Sequence, residues 1–155
     1  MTYRIRGLDP AAFAHLIGAD DAELAAHKAM RVTANRTPGF PCRVTLADAK
    51  PGESLILLNH VSHEVATPYR SSYAIYVREH DATQADYLDC VPPVLVGRPL
   101  GLRAFDAAGM LKAAVLAMAG QADAKIREVF ADPEIAYIHA HNAAHGCFAA
   151  KVKRA

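Results

Sequence analysis

Apolar and polar residues trade places along the 155-residue chain with two different periods. Residues 3–8, Tyr-Arg-Ile-Arg-Gly-Leu, alternate and predict a short strand. Asp9-Pro10 then supplies an N-cap followed by proline at the first helical position, and Phe13, Leu16 and Ile17 make an apolar stripe that Gly18 ends. Asp20 and Glu23 form a capping-box arrangement, which predicts a second helix running to about Met30. Residues 35–41, with Pro38, Gly39 and Pro41, suit neither a helix nor a central strand.

A strand is expected at 42–46, with Cys42, Val44 and Leu46 on one face and Arg43 and Thr45 on the other. The unbroken apolar run 54–58 reads as a strand covered on both faces. Residues 67–72 form a loop and 73–79 another strand, while the prolines of 80–99 suggest an irregular crossing segment. Strands at 100–106 and 110–117 flank the turn Asp106-Ala-Ala-Gly109, and the turn decides for strand where Ala and Leu alone would favour helix. A helix at 120–131, burying Ile126, Val129 and Phe130, leads into a final hairpin of 134–141 and 146–153. The pattern predicts one α+β domain over residues 1–155. Its mostly antiparallel sheet has about six strands, helices lie on one side, and the C-terminal order is β-β-α-β-β.

Composition adds limits. At 52% hydrophobic and 21% charged, the chain has the makeup of a globular domain. A chain this long buries roughly 70% of its unfolded surface without a metal or disulfide staple. Net charge is +1, so no general attraction to nucleic acid is expected, and the basic ending Lys151-Val-Lys153-Arg154 is explained by strand alternation. The opening residues lack an apolar h-region and no run of about 18 apolar residues occurs, so neither a secretory signal nor a membrane partner is expected. Three widely spaced cysteines, Cys42, Cys90 and Cys147, read as reduced thiols in a cytoplasm.

Candidate chemistry gathers near the C-terminus. His139, His141, His145 and Cys147 fall within nine residues. Alternation sends His139, His141 and Cys147 to one face of the last hairpin, and Ile138, Ala140, Phe148, Ala150 and Val152 to the other. Three readings follow. Two imidazoles about 6.5–7 Å apart on a strand, with the Cys147 thiolate or His145 as third ligand, would suit zinc. Cys147 beside histidines would suit a nucleophile, with His139 and His141 as its proton-transfer partners. Arg43, Arg70 and Arg103 with the Tyr69–Ser72 loop, its Ser72 hydroxyl and His145 would suit a small polar or anionic ligand. The bland alternative for each is a wet sheet face, a buried thiol or solvated arginines. No nucleotide-binding glycine motif or hydrolase elbow is present. The function expected is therefore a cytosolic domain that binds, or acts on, a small molecule. A non-enzymatic interaction or homodimerisation module is the rival reading.

Several segments carry a resemblance: Pro41-Cys42-Arg43, Pro68-Tyr69-Arg70-x-Ser72, Gly146-Cys147-Phe148, Asp20-Asp-Ala-Glu-Leu24, Ala74-Ile-Tyr-Val-Arg-Glu79 and Tyr137-Ile-His-Ala-His-Asn142. Together they resemble DUF1203, a bacterial family of about this length and of unknown function, over the whole chain. The resemblance implies a small bacterial cytosolic protein. It implies no activity and no catalytic residues.

Overall fold

A computed structural model describes residues 1–80 and 82–155 and shows an α+β architecture of two antiparallel sheets. The larger has six strands in the order β5-β1-β9-β8-β6-β7, the smaller three in the order β2-β3-β4. The strands are β1 (Tyr3–Arg6), β2 (Ala29–Thr33), β3 (Ser54–His63), β4 (Ser71–Arg78), β5 (Asp86–Leu88), β6 (Leu100–Phe105), β7 (Leu111–Ala117), β8 (Tyr137–Asn142) and β9 (Phe148–Arg154). A 3-10 helix (Pro10–Leu16) and three short α-helices, α1 (Asp21–Ala26), α2 (Pro93–Val96) and α3 (Ala122–Val129), complete the described elements. Among the described residues, no helix is long and apolar enough to cross a membrane.

The six-stranded sheet and its C-terminal β6-β7-α3-β8-β9 order match the pattern read from the chain. One face packs on α2 and α3. Ile5, Leu100, Leu102, Ile138, Ala140 and Val152 meet Leu95, Ile126 and Phe130 there, all essentially dry. Each large aliphatic side chain so buried contributes roughly 1.5–3 kcal/mol. The turn into β7 also forms as expected, with Gly109 at φ 84°, a left-handed conformation that glycine adopts without cost.

The smaller sheet was not foreseen as a separate layer. Its Ile56, Leu58, Ile75 and Val77 pack with Phe13, Leu16 and Leu24 from the 3-10 helix and α1. Ile17, placed in that stripe by its spacing, is instead largely exposed. The capping box at Asp20 and Glu23 is made in both directions, but α1 stops at Ala26 rather than near Met30. Lys28 takes φ 55°, which ends the helix, and the chain turns directly into β2.

Residues 42–46 are not a strand. Cys42, Arg43, Val44 and Leu46 are all buried, so the expected two-sidedness is lost. The segment crosses between the sheets and bonds to a different element at nearly every residue. Arg43 N donates to Tyr76 O (2.9 Å), Leu8 N donates to Arg43 O (2.8 Å), and Ala85 N donates to Val44 O (2.9 Å). Buried backbone groups are satisfied here without a ladder.

Gly7 sits where β1 meets this crossing. A Cβ there would lie 1.8 Å from the carbonyl oxygen of Val44. The obstacle is backbone, so it does not swing aside. Gly7→Ala is expected to lower stability by about 1–3 kcal/mol or more, read from urea unfolding. A loss within error would show that the crossing is loose.

Candidate functional site

The last hairpin places His139 and His141 as the period-two reading predicts, on the sheet face away from α3. That face is not wet at this point. The end of the smaller sheet lies over it, and His139 and His141 are 1% and 5% exposed. His63 of β3 packs its ring against His139 (centroids 4.9 Å apart) and Phe105 (4.3 Å), and Tyr73 of β4 meets His141 (5.0 Å). His63 is tied at both nitrogens. Nδ1 donates to Tyr69 O (2.8 Å), which leaves Nε2 to accept from the Tyr137 hydroxyl (2.7 Å). His141 Nδ1 donates to Gly146 O (2.9 Å). The Nε2 atoms of His139 and His141 are buried without a protein partner.

Burial at His139 and His141 favours neutral imidazole. Burial, reinforced by the charge of Lys151, pushes His139 down to about 2. Burial also lowers His141, against the opposing effect of its bond to Gly146 O. Burial alone lowers His60, which packs on Phe13. The Tyr137 hydroxyl is raised, chiefly by burial.

Cys147 does not join the histidines. A bulge in β9 sets His141 opposite Phe148, where regular alternation would set Ala149. Phe148 is thereby moved from the expected helix-side face to the histidine side, where its ring meets His139 and His141. Ala149 and Ala150 both enter the helix-side core. The Cys147 thiol faces Arg43 Nη2 (3.4 Å) and Asn142 Nδ2 (3.2 Å). Among the described residues, no group of three or more His, Cys, Asp or Glu side chains is arranged to hold a metal ion, so the zinc set of His139, His141 and Cys147 is not assembled.

The residues expected to form an anion pocket are also dispersed. Arg43 is buried, with Nε donating to Phe148 O (2.6 Å) and Nη1 to Pro41 O (3.0 Å). Arg70 holds Glu64 in a surface pair. Arg103 donates to the Tyr73 hydroxyl (3.2 Å). Tyr69 contributes its carbonyl to His63 and its ring to Phe105 (6.2 Å), whereas Ser72 and His145 are exposed.

The structure instead opens a basic cleft of about 690 Å³ on the same sheet face, beginning at the adjacent strand β9. Cross-strand register explains it. One row of neighbours runs Arg103, His139, Lys151, Arg6, Asp86, and the next runs Phe105, Tyr137, Lys153, Arg4, Leu88. The smaller sheet packs over the first part of each row. Beyond it, Arg4, Arg6, Lys151 and Lys153 line the cleft with Leu8 and Leu88. Asp86 pairs with both Arg4 (3.3 Å) and Arg6 (2.8 Å), so one carboxylate serves two guanidiniums. Lys151 stands at the boundary with its ammonium 3.8 Å above the Tyr137 ring. Burial first, then the charge of Lys153, lowers its pKa. The alternations Arg-x-Arg near the start and Lys-x-Lys near the end were visible, but the pairing of the first strand with the last was not.

The chain belongs to the family described as a protein of unknown function, DUF1203, whose model matches residues 39–154. No curated protein and no solved structure matches the chain.

The neutral histidines predict a pH dependence. In the unfolded chain each titrates near 6.5, so below that pH unfolding takes up protons. Their contribution is complete above about pH 6.5 and is lost as pH falls, for His139 toward about 2. By pH 5, His139 alone should cost about 2 kcal/mol. Urea unfolding at pH 7, 6 and 5 should show this decline, and His139→Phe should remove about one proton's worth of slope. An unchanged slope would show that His139 is already charged in the folded protein.

Proposed function

We propose that the protein binds a small anionic molecule in the cleft between β5, β1 and β9. One observation carries this reading. Arg4 lies directly opposite Lys153, and Arg6 directly opposite Lys151. Like charges facing each other across a strand pair are destabilising. Asp86 offsets only the arginine side, and Asp9, on the cleft wall, is engaged in capping the 3-10 helix through Ala11 N (2.9 Å). An anion seated between the two strands would relieve both pairs together.

The cleft is of a size common for small-ligand sites. Leu8 and Leu88 add apolar wall to the charged rim. The reading keeps the small polar or anionic ligand expected from the sequence and moves it to the uncovered half of the histidine face. His139 and His141 then serve as the dry floor against which β8 and β9 are fixed. A cytosolic setting accords with three cysteines that are all free.

Pyrophosphate and citrate are suitable probes, titrated by calorimetry at low ionic strength. Binding should weaken steadily as salt is added, because Arg6 and Lys153 of the cleft are solvent-exposed. Lys153→Glu and Arg6→Gln should each weaken it by about tenfold, the equivalent of 1.4 kcal/mol. Arg70→Glu, on a separate surface ion pair, should leave it unchanged. Absence of binding by either probe, or equal loss in the Arg70 variant, would overturn the assignment.

A further inference from the structure

The six-stranded sheet ends on one side in β7, and this edge differs from the others. β7 is seven residues long and pairs with β6 along its inner side only. The opposite edge, β5, is three residues long and carries Asp86, committed to Arg4 and Arg6. In the smaller sheet, β2 carries Arg31, committed to Glu79 and Asp21, and β4 is met by Cys42 through a bridge to Tyr76. Open edges are usually blunted by charge, brevity or cover, because unpaired N–H and C=O groups invite another strand. β7 has none of these over Ala113–Ala117. Its single charge, Lys112, lies near the start of the strand and is paired with Glu134 (3.0 Å). Leu116 (57%) stands exposed on it, and Met110 (41%) and Met118 (50%) stand exposed just before and just after it.

We propose that β7 is the interface through which two copies of this chain pair, edge to edge and antiparallel, into a continuous twelve-stranded sheet. The occupant follows from the strand's own chemistry. A two-fold axis brings a patch against itself, so a strand with charges at its centre would repel its copy. Ala113, Ala114, Val115 and Leu116 are uncharged, and Ala114 and Leu116 share the exposed face of the strand. With the axis at Val115, Ala114 of each copy meets Leu116 of the other, and Ala113 meets Ala117. Antiparallel pairing then satisfies the free backbone groups of both copies at once. The anion cleft lies at the far side of the sheet and remains open in such a dimer.

Light scattering coupled to size exclusion should give about twice the 16.6 kDa chain mass. Ala114→Glu with Leu116→Glu should be monomeric, and so should Ala114→Lys with Leu116→Lys. An equal mixture of the two double variants should recover the dimer, since opposite charges then meet at both positions across the axis. Both positions are exposed, so the monomers should keep the wild-type circular dichroism. Amide exchange in the wild type should show β7 protection that rises with concentration. A monomeric wild type, variants that remain dimeric, a mixture that stays monomeric, or a dimer with unprotected β7 amides would each overturn the proposal.

Discussion

The architecture depends on a buried guanidinium. Arg43 is taken out of water with no carboxylate bonded to it among the described residues, and two carbonyl oxygens and one thiol sulfur receive its donors. A charge in that position is tolerated only if the surrounding groups are held in place to meet it. Pro41 O and Phe148 O are 107 residues apart in the chain, and Arg43 joins them. Through its own backbone the same residue reaches β4 and the chain just after β1. It therefore fastens the crossing segment, the smaller sheet and the bulged start of β9 to one another. With β9 fastened there, Phe148 lies beneath the histidines, and the smaller sheet closes over them.

That closure divides one sheet face into two environments. On the covered half, imidazole, phenol and phenyl rings pack edge to face, and burial lowers the pKa of His139 and His141. On the open half, the same cross-strand rows continue as arginine and lysine. The division follows from the length of cover that β3 and β4 provide. It also explains why the chemistry read from the histidines and the chemistry offered to solvent are different. The groups most suited to proton transfer are enclosed, whereas the groups free to meet a ligand are permanent cations.

Local pattern was a faithful guide wherever neighbours in sequence are neighbours in space. The β6-β7 hairpin, the amphipathic α3 and the Asp20 capping box were legible for that reason. Alternation also placed His139 and His141 on a common face. It failed at three kinds of place. A bulge adds one residue and reverses the face of everything before it, which is how Cys147 and Phe148 were misassigned. A crossing segment buried on all sides can alternate in hydrophobicity without being a strand, as residues 42–46 do. Contact between the chain's ends leaves no local trace, so the cations of β1 and β9 looked like two ordinary solvated strands. The burial of the histidines depended on a second sheet, and no periodicity in β8 announces what will lie above it.

The contact between Lys151 and Tyr137 gives the molecule an optical property. The chain has no tryptophan and six tyrosines, so its ultraviolet emission comes from phenol rings alone. One of these rings lies directly beneath an ammonium at the inner wall of the cleft. Any guest that draws that ammonium aside alters the electrostatic field across the ring and exposes its face. Under the proposed reading, occupancy of the cleft would be reported by an intrinsic chromophore, without any label.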